Sequence, residues 1–520
     1  MNTLNLQKNL FGGLTAAVIA LPLGLAFGVA SGLGPTAGIY GAIILGFFAS
    51  LLGGTPTQIS GPTGPMTVVM ASAVVSLHSN INLIATTIIL SGIFQILFGI
   101  LKIGKFVRYI PYPVISGFMS GIGIIIIILQ INPFLGLPSD ASIIHILVTL
   151  PSHLSNSNIQ AIILASLTLA IMLFTPSKIA KMIPTPLIAL FILTPMSIYF
   201  NFNVTTIGEI PTTLPNMIMP NLDFDNYRLV LTLAFTLAIL GMIDTLLTSI
   251  VADSITNIKH KPNKELIGQG IGNAICGLFG AIPGAGATMR TVINVKSGGT
   301  NKTSGIIHSI TLLLVVMFFA PIASKIPMAI LAGILIKVGI DILDYRFINV
   351  WKEAPKSDLA VMLVVFFVTV FIDLITAVGV GIVLASILIV YRITKATKIS
   401  LDNKSQNLKY NVDTKTKILT VDGAFFFGSS MAFENEANSI LDIENFIIDI
   451  SNVPFIDLTA IFTLKDLIIK LKAQNINIVI IAKEKDRKQL LKLNKNGIFD
   501  NINIYDDIEQ IFNKTSYTNN

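Results

Sequence analysis

The sequence predicts an all-α, polytopic membrane domain of about fourteen segments, built as a seven-plus-seven inverted repeat and followed by a small cytosolic α/β domain. Three observations carry this. Of 520 residues, 53% are hydrophobic and 12% charged, with a mean hydropathy of +0.77, too apolar for a soluble chain of this length. Basic residues cluster in alternate connections between apolar runs. One set of residues also recurs at a fixed spacing, so that Ile110-Pro111 answers to Ile326-Pro327.

The apolar runs fall at 10–31, 36–53, 63–77, 83–101, 112–131, 159–174, 184–200, 229–252, 265–281, 287–295, 303–320, 326–340, 359–375 and 376–394. Crossing the hydrocarbon takes about 20 apolar residues in a helix, and most of these runs reach or approach that length. The third and tenth are the shortest, and each follows a Gly/Pro-rich break. Lys8, the first run and the small residues Ala30 and Ser31 mimic a signal peptide. More spans follow at once, so this reads as an uncleaved first helix.

Charge placement orients the segments. With the N-terminus cytoplasmic, the even connections are inside, and they hold Lys102, Lys105 and Arg108, then Lys178 and Lys181, then Lys259, Lys261 and Lys264. Lys296 and Lys302, then Arg346, Lys352 and Lys356, then Arg392, Lys395 and Lys398 continue the series. The odd connections are nearly free of basic residues: 132–158 has none, and 201–227 carries Glu209, Asp223 and Asp225. Both ends of the membrane part, 1–398, are therefore expected in the cytoplasm. Of the +7 net charge, the membrane part accounts for about +9 and the tail for about −2, a loop bias of the positive-inside kind. No basic run carries interleaved aromatics, which excludes a nucleic-acid surface. The single cysteine, Cys276, excludes an internal disulfide and a cysteine-rich metal site.

Besides Ile110-Pro111, Ser116-Gly117 and Gly123-Ile124 return as Ala332-Gly333 and Gly339-Ile340. Segments five and twelve are then equivalent, which gives two repeats of seven, and an odd number of spans forces the second copy to insert upside down. Chance recurrence of small-residue helix patterns is the plainer explanation. In inverted-repeat transporters, short Gly/Pro-broken segments in matching places mark the binding site. Here they are Gly61-Pro62-Thr63-Gly64-Pro65-Met66 and Pro283-Gly284-Ala285-Gly286-Ala287-Thr288, each third in its repeat. Helices starting near mid-membrane expose backbone N–H groups at a positive dipole end, and two such ends face to face make an anion site. Thr63 and Thr288 add hydroxyls.

Asp244 lies in the middle of the eighth run. An ionised carboxylate at that depth costs several kcal/mol unless paired, so it marks function, or else a protonated group bonded between helices. Thr248 follows one turn on and faces the same way. Two oxygens there suit a small hard cation or a proton, and carbonyls near Gly286 would complete the set. Arg290, just inside segment ten, either adds a fixed positive charge for the anion or pairs with Asp244 or snorkels inward.

The runs Ala20-Leu21-Pro22-Leu23-Gly24-Leu25-Ala26-Phe27, Gly61-Pro62-Thr63-Gly64-Pro65-Met66-Thr67, Asp244-Thr245-Leu246-Leu247-Thr248-Ser249, Glu265-Leu266-Ile267-Gly268-Gln269-Gly270 and Gly284-Ala285-Gly286-Ala287-Thr288-Met289 together closely resemble the SulP family of inorganic anion transporters over essentially the whole chain. Within it the chain looks most like the cyanobacterial sodium-dependent bicarbonate transporters. The resemblance implies a core and a gate subdomain, an elevator motion and a homodimer in the bacterial inner membrane. It also implies a sodium site at Asp244, Thr248, Gly286 and Thr288, and an anion site at Thr63 with Ala287; Gly64, Thr288 and Arg290 complete the candidate anion set. Arg290 stands where the bicarbonate members have glycine, and an arginine there is familiar from plant sulfate carriers and animal exchangers, while Leu23 replaces a glutamine common in the sulfate type.

After a linker at 399–407, residues 408–513 read as a soluble α/β domain: Ile418 to Val421, Phe446 to Ile450 and Ile476 to Ala482 as strands, Thr459 to Ala473 as a helix. This resembles a STAS domain. The segment Asn452 to Ala460 matches the one whose serine is phosphorylated in anti-sigma-factor antagonists, with Thr459 in that position and Asp457 as a simple N-cap. Residues 514–520 read as a disordered end.

The expected function is secondary active transport of a small inorganic anion, bicarbonate with sodium, or sulfate with protons. An uncoupled channel or exchanger and a STAS-linked sensor are the readings of another class. No nucleophile–base pair or metal-ligand cluster points to an enzyme, no cofactor is expected beyond sodium as coupling ion, and His78, His145, His153, His260 and His308 fall mostly in loops or at segment ends.

Overall fold

The computed structural model describes residues 3–511 apart from 141, 177–178, 180–182, 209–214, 221–225, 346–351, 373, 403–414, 439–442, 495–496, 501 and 508–509. Lys178, Lys181, Glu209, Asp223, Asp225, Arg346 and the end at 514–520 lie outside the described residues. The chain divides into two compact units, Met1–Ile382 and Val383–Asn520.

The first unit is helical: α1 (Thr3–Ala30), α2 (Pro35–Leu52), α3 (Gly64–Ser76), α4 (Ile81–Ile100), α5 (Tyr112–Leu129), α6 (Ile131–Phe134), α7 (Ile143–Ser155), α8 (Ile159–Phe174), α9 (Thr185–Tyr199), α10 (Tyr227–Thr256), α11 (Pro262–Leu278), α12 (Thr288–Lys296), α13 (Lys302–Ala323), α14 (Met328–Ile342), α15 (Lys356–Phe371) and α16 (Leu374–Ala396), within which the unit boundary falls. Each of the fourteen apolar runs coincides with one of these helices. Among the described residues, six are long and apolar enough to cross a bilayer alone. The third and tenth runs give 13 and 9 residues, too short to cross. One element departs from expectation. The connection 132–158 contains α7, whose N-cap Ser142 accepts the His145 N–H at 3.3 Å.

Helix packing respects the repeat. With α1 to α5, α8 and α9 matched to α10 to α14, α15 and α16, the pairs α1–α13 and α10–α4 are equivalent, as are α11–α4 with α2–α13 and α15–α5 with α8–α14; all six pairs pack. Gly123 and Gly339, equivalent in sequence, sit against each other where α5 crosses α14, each leaving room for the other's carbonyl and none for a Cβ. Equivalent residues touch only where a two-fold axis passes between them. The two breaks meet in the same manner, as β1 (Ser60–Gly61) pairs antiparallel with β2 (Ala285–Gly286), Ser60 opposite Gly286 and Gly61 opposite Ala285.

The second unit holds one five-stranded sheet in sequential order, β3 (Lys398–Asp402), β4 (Thr416–Asp422), β5 (Asn445–Asp449), β6 (Asn477–Ile481) and β7 (Asn503–Tyr505). β3 is antiparallel to β4 and the rest are parallel, joined through α17 (Phe427–Asn438), α18 (Leu458–Ala473) and α19 (Glu484–Lys492). Residues 399–402, expected as linker, are therefore sheet: Ile399 and Leu401 alternate inward against a core that includes Leu419, Phe446, Ile448 and Ile461. Asp457 caps α18, accepting the Ala460 N–H at 2.8 Å and that of Phe427 at 3.0 Å.

Candidate functional site

The breaks create the site because each ends in a helix start. Thr63 is the N-cap position of α3 and Ala287 that of α12, both extended, and no side chain caps either helix. The two-residue ladder between β1 and β2 sets these starts side by side. Gly284 has to be glycine here, since a Cβ would run into the Gly61 carbonyl. The Asn273 side chain extends the ladder, accepting the Gly284 N–H at 2.9 Å and donating to its carbonyl at 3.0 Å.

α10 brings the carboxylate. Asp244 is 8% exposed, and its Oδ2 has no hydrogen-bond partner. The Thr63 hydroxyl and the Arg290 guanidinium lie near it, neither hydrogen-bonded to that oxygen. One turn on, the fully buried Thr248 donates to the Gly286 carbonyl at 2.9 Å, and its hydroxyl lies 2.6 Å from that of Thr288. Asp244, Thr248, Gly286 and Thr288, expected as a cation set, are thus brought together as an all-oxygen group, the donor type hard cations take. The Gly286 N–H is held by Thr245 Oγ1 at 3.1 Å, which turns its carbonyl toward Thr248.

Arg290 is 2% exposed on the first turn of α12. It donates through Nη2 to the Pro62 carbonyl, while Nη1 has no partner. A cation at a helix N-terminus opposes the dipole, so it needs negative charge nearby. Asp244 lies within electrostatic reach of it, with no ion pair between the two among the described residues, and Arg290 is buried rather than extended to solvent. Thr63 is buried with its hydroxyl unpartnered. Gly64 is buried against Ile126 and Ile342. Ala287 gives its N–H to the Ile59 carbonyl at 2.8 Å, so among the expected anion residues it offers shape rather than a donor. Three unpartnered polar atoms, Asp244 Oδ2, Thr63 Oγ1 and Arg290 Nη1, therefore belong to one small region at two helix starts.

Sequence reasoning missed the frame beneath. Glu265 on α11 is 1% exposed and accepts four donors: the Gly54 and Thr55 N–H groups at 2.7 Å each, and Gln58 Nε2 and Gln269 Nε2 at 2.9 Å each. Gln58 Oε1 accepts from Ser249, next to Thr248, at 2.9 Å. This chain fixes the approach to β1 against α10. A buried Gln/Glu/Asn row on α11 was its only signal. His308, grouped with histidines mostly in loops, is instead wholly buried within α13, both ring nitrogens unpartnered. Thr459 is exposed in the first turn of α18, in the second unit.

Comparison with known proteins agrees with the fold. Residues 6–365 match the model of the sulfate permease family, and residues 407–511 that of the STAS domain. The chain is 42% identical to the bicarbonate transporter BicA of Picosynechococcus sp., over 94% of this chain and 91% of the relative. The solved transmembrane domain of a cyanobacterium bicarbonate transporter BicA is 50% identical, covers 73% of this chain and 99% of its own length, and superposes with a TM-score of 0.68. The overall structure of SLC26A9, at 18% identity, shares the fold, with a TM-score of 0.85 over 99% of this chain and 90% of that one.

Proposed function

The chain belongs to the sulfate permease family of anion transporters, and we propose that it carries bicarbonate together with sodium, as a secondary active symporter. One observation carries the reading: the buried, unpartnered Asp244 oxygen lies one turn of α10 from Thr248, whose hydroxyl meets the Gly286 carbonyl and the Thr288 hydroxyl at the uncapped start of α12. Sodium bound to these oxygens neutralises Asp244 and adds positive charge beside the exposed backbone N–H groups, so the anion enters a site the cation completes. Solvation by water is replaced by fixed dipoles, which need no reorganisation on binding. Similarity to named bicarbonate transporters supports the substrate.

The same reading includes an elevator motion of the helices carrying the site past α5 and α14, a homodimer in a bacterial inner membrane, cytoplasmic termini, and a membrane part ahead of a STAS domain. A second reading, sulfate with proton coupling, has its own observation. Arg290 adds a full buried charge with one free nitrogen, which suits a dianion. Uptake of radiolabelled bicarbonate and sulfate into proteoliposomes, under a sodium or a proton gradient, separates the two. Bicarbonate uptake driven by sodium is expected; sulfate uptake driven by protons alone would replace the first reading by the second.

A further inference from the structure

A second, unrelated cavity lies between α1, α9 and α13, about 930 Å³ in volume, near the top of the ~300–1,000 Å³ typical of sites for small organic ligands. α9 lines it from Leu187 to Tyr199 and α13 from Thr311 to Ala323, so it follows both helices toward their C-terminal ends. The walls are apolar, Val18, Leu190 and Val315 among them. Four polar side chains interrupt them, Thr194, Tyr199, Thr311 and Lys325. Thr194 is buried with a hydroxyl that has no hydrogen-bond partner. Lys325, two residues past the end of α13, is exposed at the end of the cavity and forms no ion pair among the described residues.

Lys325 is also out of place by charge. It sits in an odd connection, in the set that otherwise carries almost no basic residues, against the bias that keeps lysine on the inner side. A soluble ligand would need more polar partners than these mainly apolar walls offer. A bilayer component needs none, because its chain is already in hydrocarbon. Thr194 lies five residues before Tyr199, about 7.5 Å along the helix, where the glycerol ester comes on a lipid whose phosphate reaches Lys325.

We propose that this crevice holds an anionic phospholipid, with an acyl chain along the Val18, Leu190 and Val315 wall, an ester carbonyl accepting the Thr194 hydroxyl, and the phosphate on the Lys325 ammonium. The test uses the purified full chain in mixed micelles with phosphatidylglycerol carrying a photoreactive acyl chain, and mass spectrometry of the labelled peptides. Label is expected to concentrate on 187–199 and 311–326, and to be displaced by unlabelled phosphatidylglycerol about fivefold more effectively than by phosphatidylcholine, the worth of one lysine near an anionic surface. Lys325→Ala should abolish that preference, and Leu190→Trp, which fills the crevice, should reduce labelling whatever the headgroup. Label spread evenly over the apolar helices, a preference that survives Lys325→Ala, or labelling unchanged by Leu190→Trp would each overturn the proposal.

Discussion

Replacing Thr248 by valine keeps the shape of the side chain and removes one oxygen from the proposed cation site. That oxygen donates to the Gly286 carbonyl at 2.9 Å and lies 2.6 Å from the Thr288 hydroxyl, so its loss strips one ligand and leaves a buried carbonyl short of a donor. The deficit is about 1–3 kcal/mol, and it weakens sodium binding to the extent that it falls on the sodium-bound state alone. As a shift in sodium affinity it amounts to roughly 5- to 150-fold. Uptake measured against sodium concentration should show half-saturation rising by that factor, with the maximal rate largely recovered at high sodium. Thr245→Val is the control, because Thr245 holds the Gly286 N–H and contributes no oxygen to the site in this account; it should lower thermal stability and move sodium half-saturation much less. A Thr248→Val protein whose sodium dependence stays within twofold of the wild type would refute the assignment of this hydroxyl.

Glu265→Gln turns one acceptor oxygen into a donor facing two donors, so two charge-assisted hydrogen bonds are lost, at about 1.5–3 kcal/mol each; thermal unfolding of the purified chain should occur at clearly lower temperature, and an unchanged midpoint would count against the frame described for it. Gly123→Leu should yield no monodisperse protein on size-exclusion chromatography, because α5 cannot then approach α14, whereas Gly379→Leu, with nothing within 4 Å of its Cβ position, should be tolerated. Asp457→Ala should destabilise the STAS domain by about 1 kcal/mol through the lost cap, seen as faster hydrogen exchange in α18. Thr459→Glu, exposed at a helix start where negative charge is favoured, should leave anion uptake unchanged.

What the sequence made legible followed from the solvent. A bilayer demands long apolar runs, so fourteen helices could be placed from composition, and it penalises a lone carboxylate, so Asp244 stood out. The Gly/Pro breaks were visible because those residues stop helices whatever their surroundings. α7 escaped because its Ser, Thr, His and Pro break up the apolar run that hydropathy detects, leaving a short helix that looks like loop. β3 escaped because the boundary was set by the last basic cluster at Lys398, although Ile399 and Leu401 already alternate. The polar frame was the least readable part. Glu265 meets Gly54 across 211 residues and Ser249 meets Gln58 across 191, and no local pattern reports partners that only the two-fold packing of the repeats brings together. Ala287 is the instructive case among the candidate residues: the helix start that follows it is legible in the sequence, but the use of its N–H in the ladder depends on a strand pairing that two-residue strands cannot announce.

The claim on which the rest depends is that sodium at Asp244 builds the anion site between two helix starts. Equilibrium binding of radioactive sodium to the purified full chain, in wild type and Asp244→Asn, with and without bicarbonate, addresses it directly. Saturable binding is expected, strengthened by bicarbonate as linkage requires and abolished by Asp244→Asn. Sodium binding that is equal in the two proteins, or indifferent to bicarbonate, would contradict it.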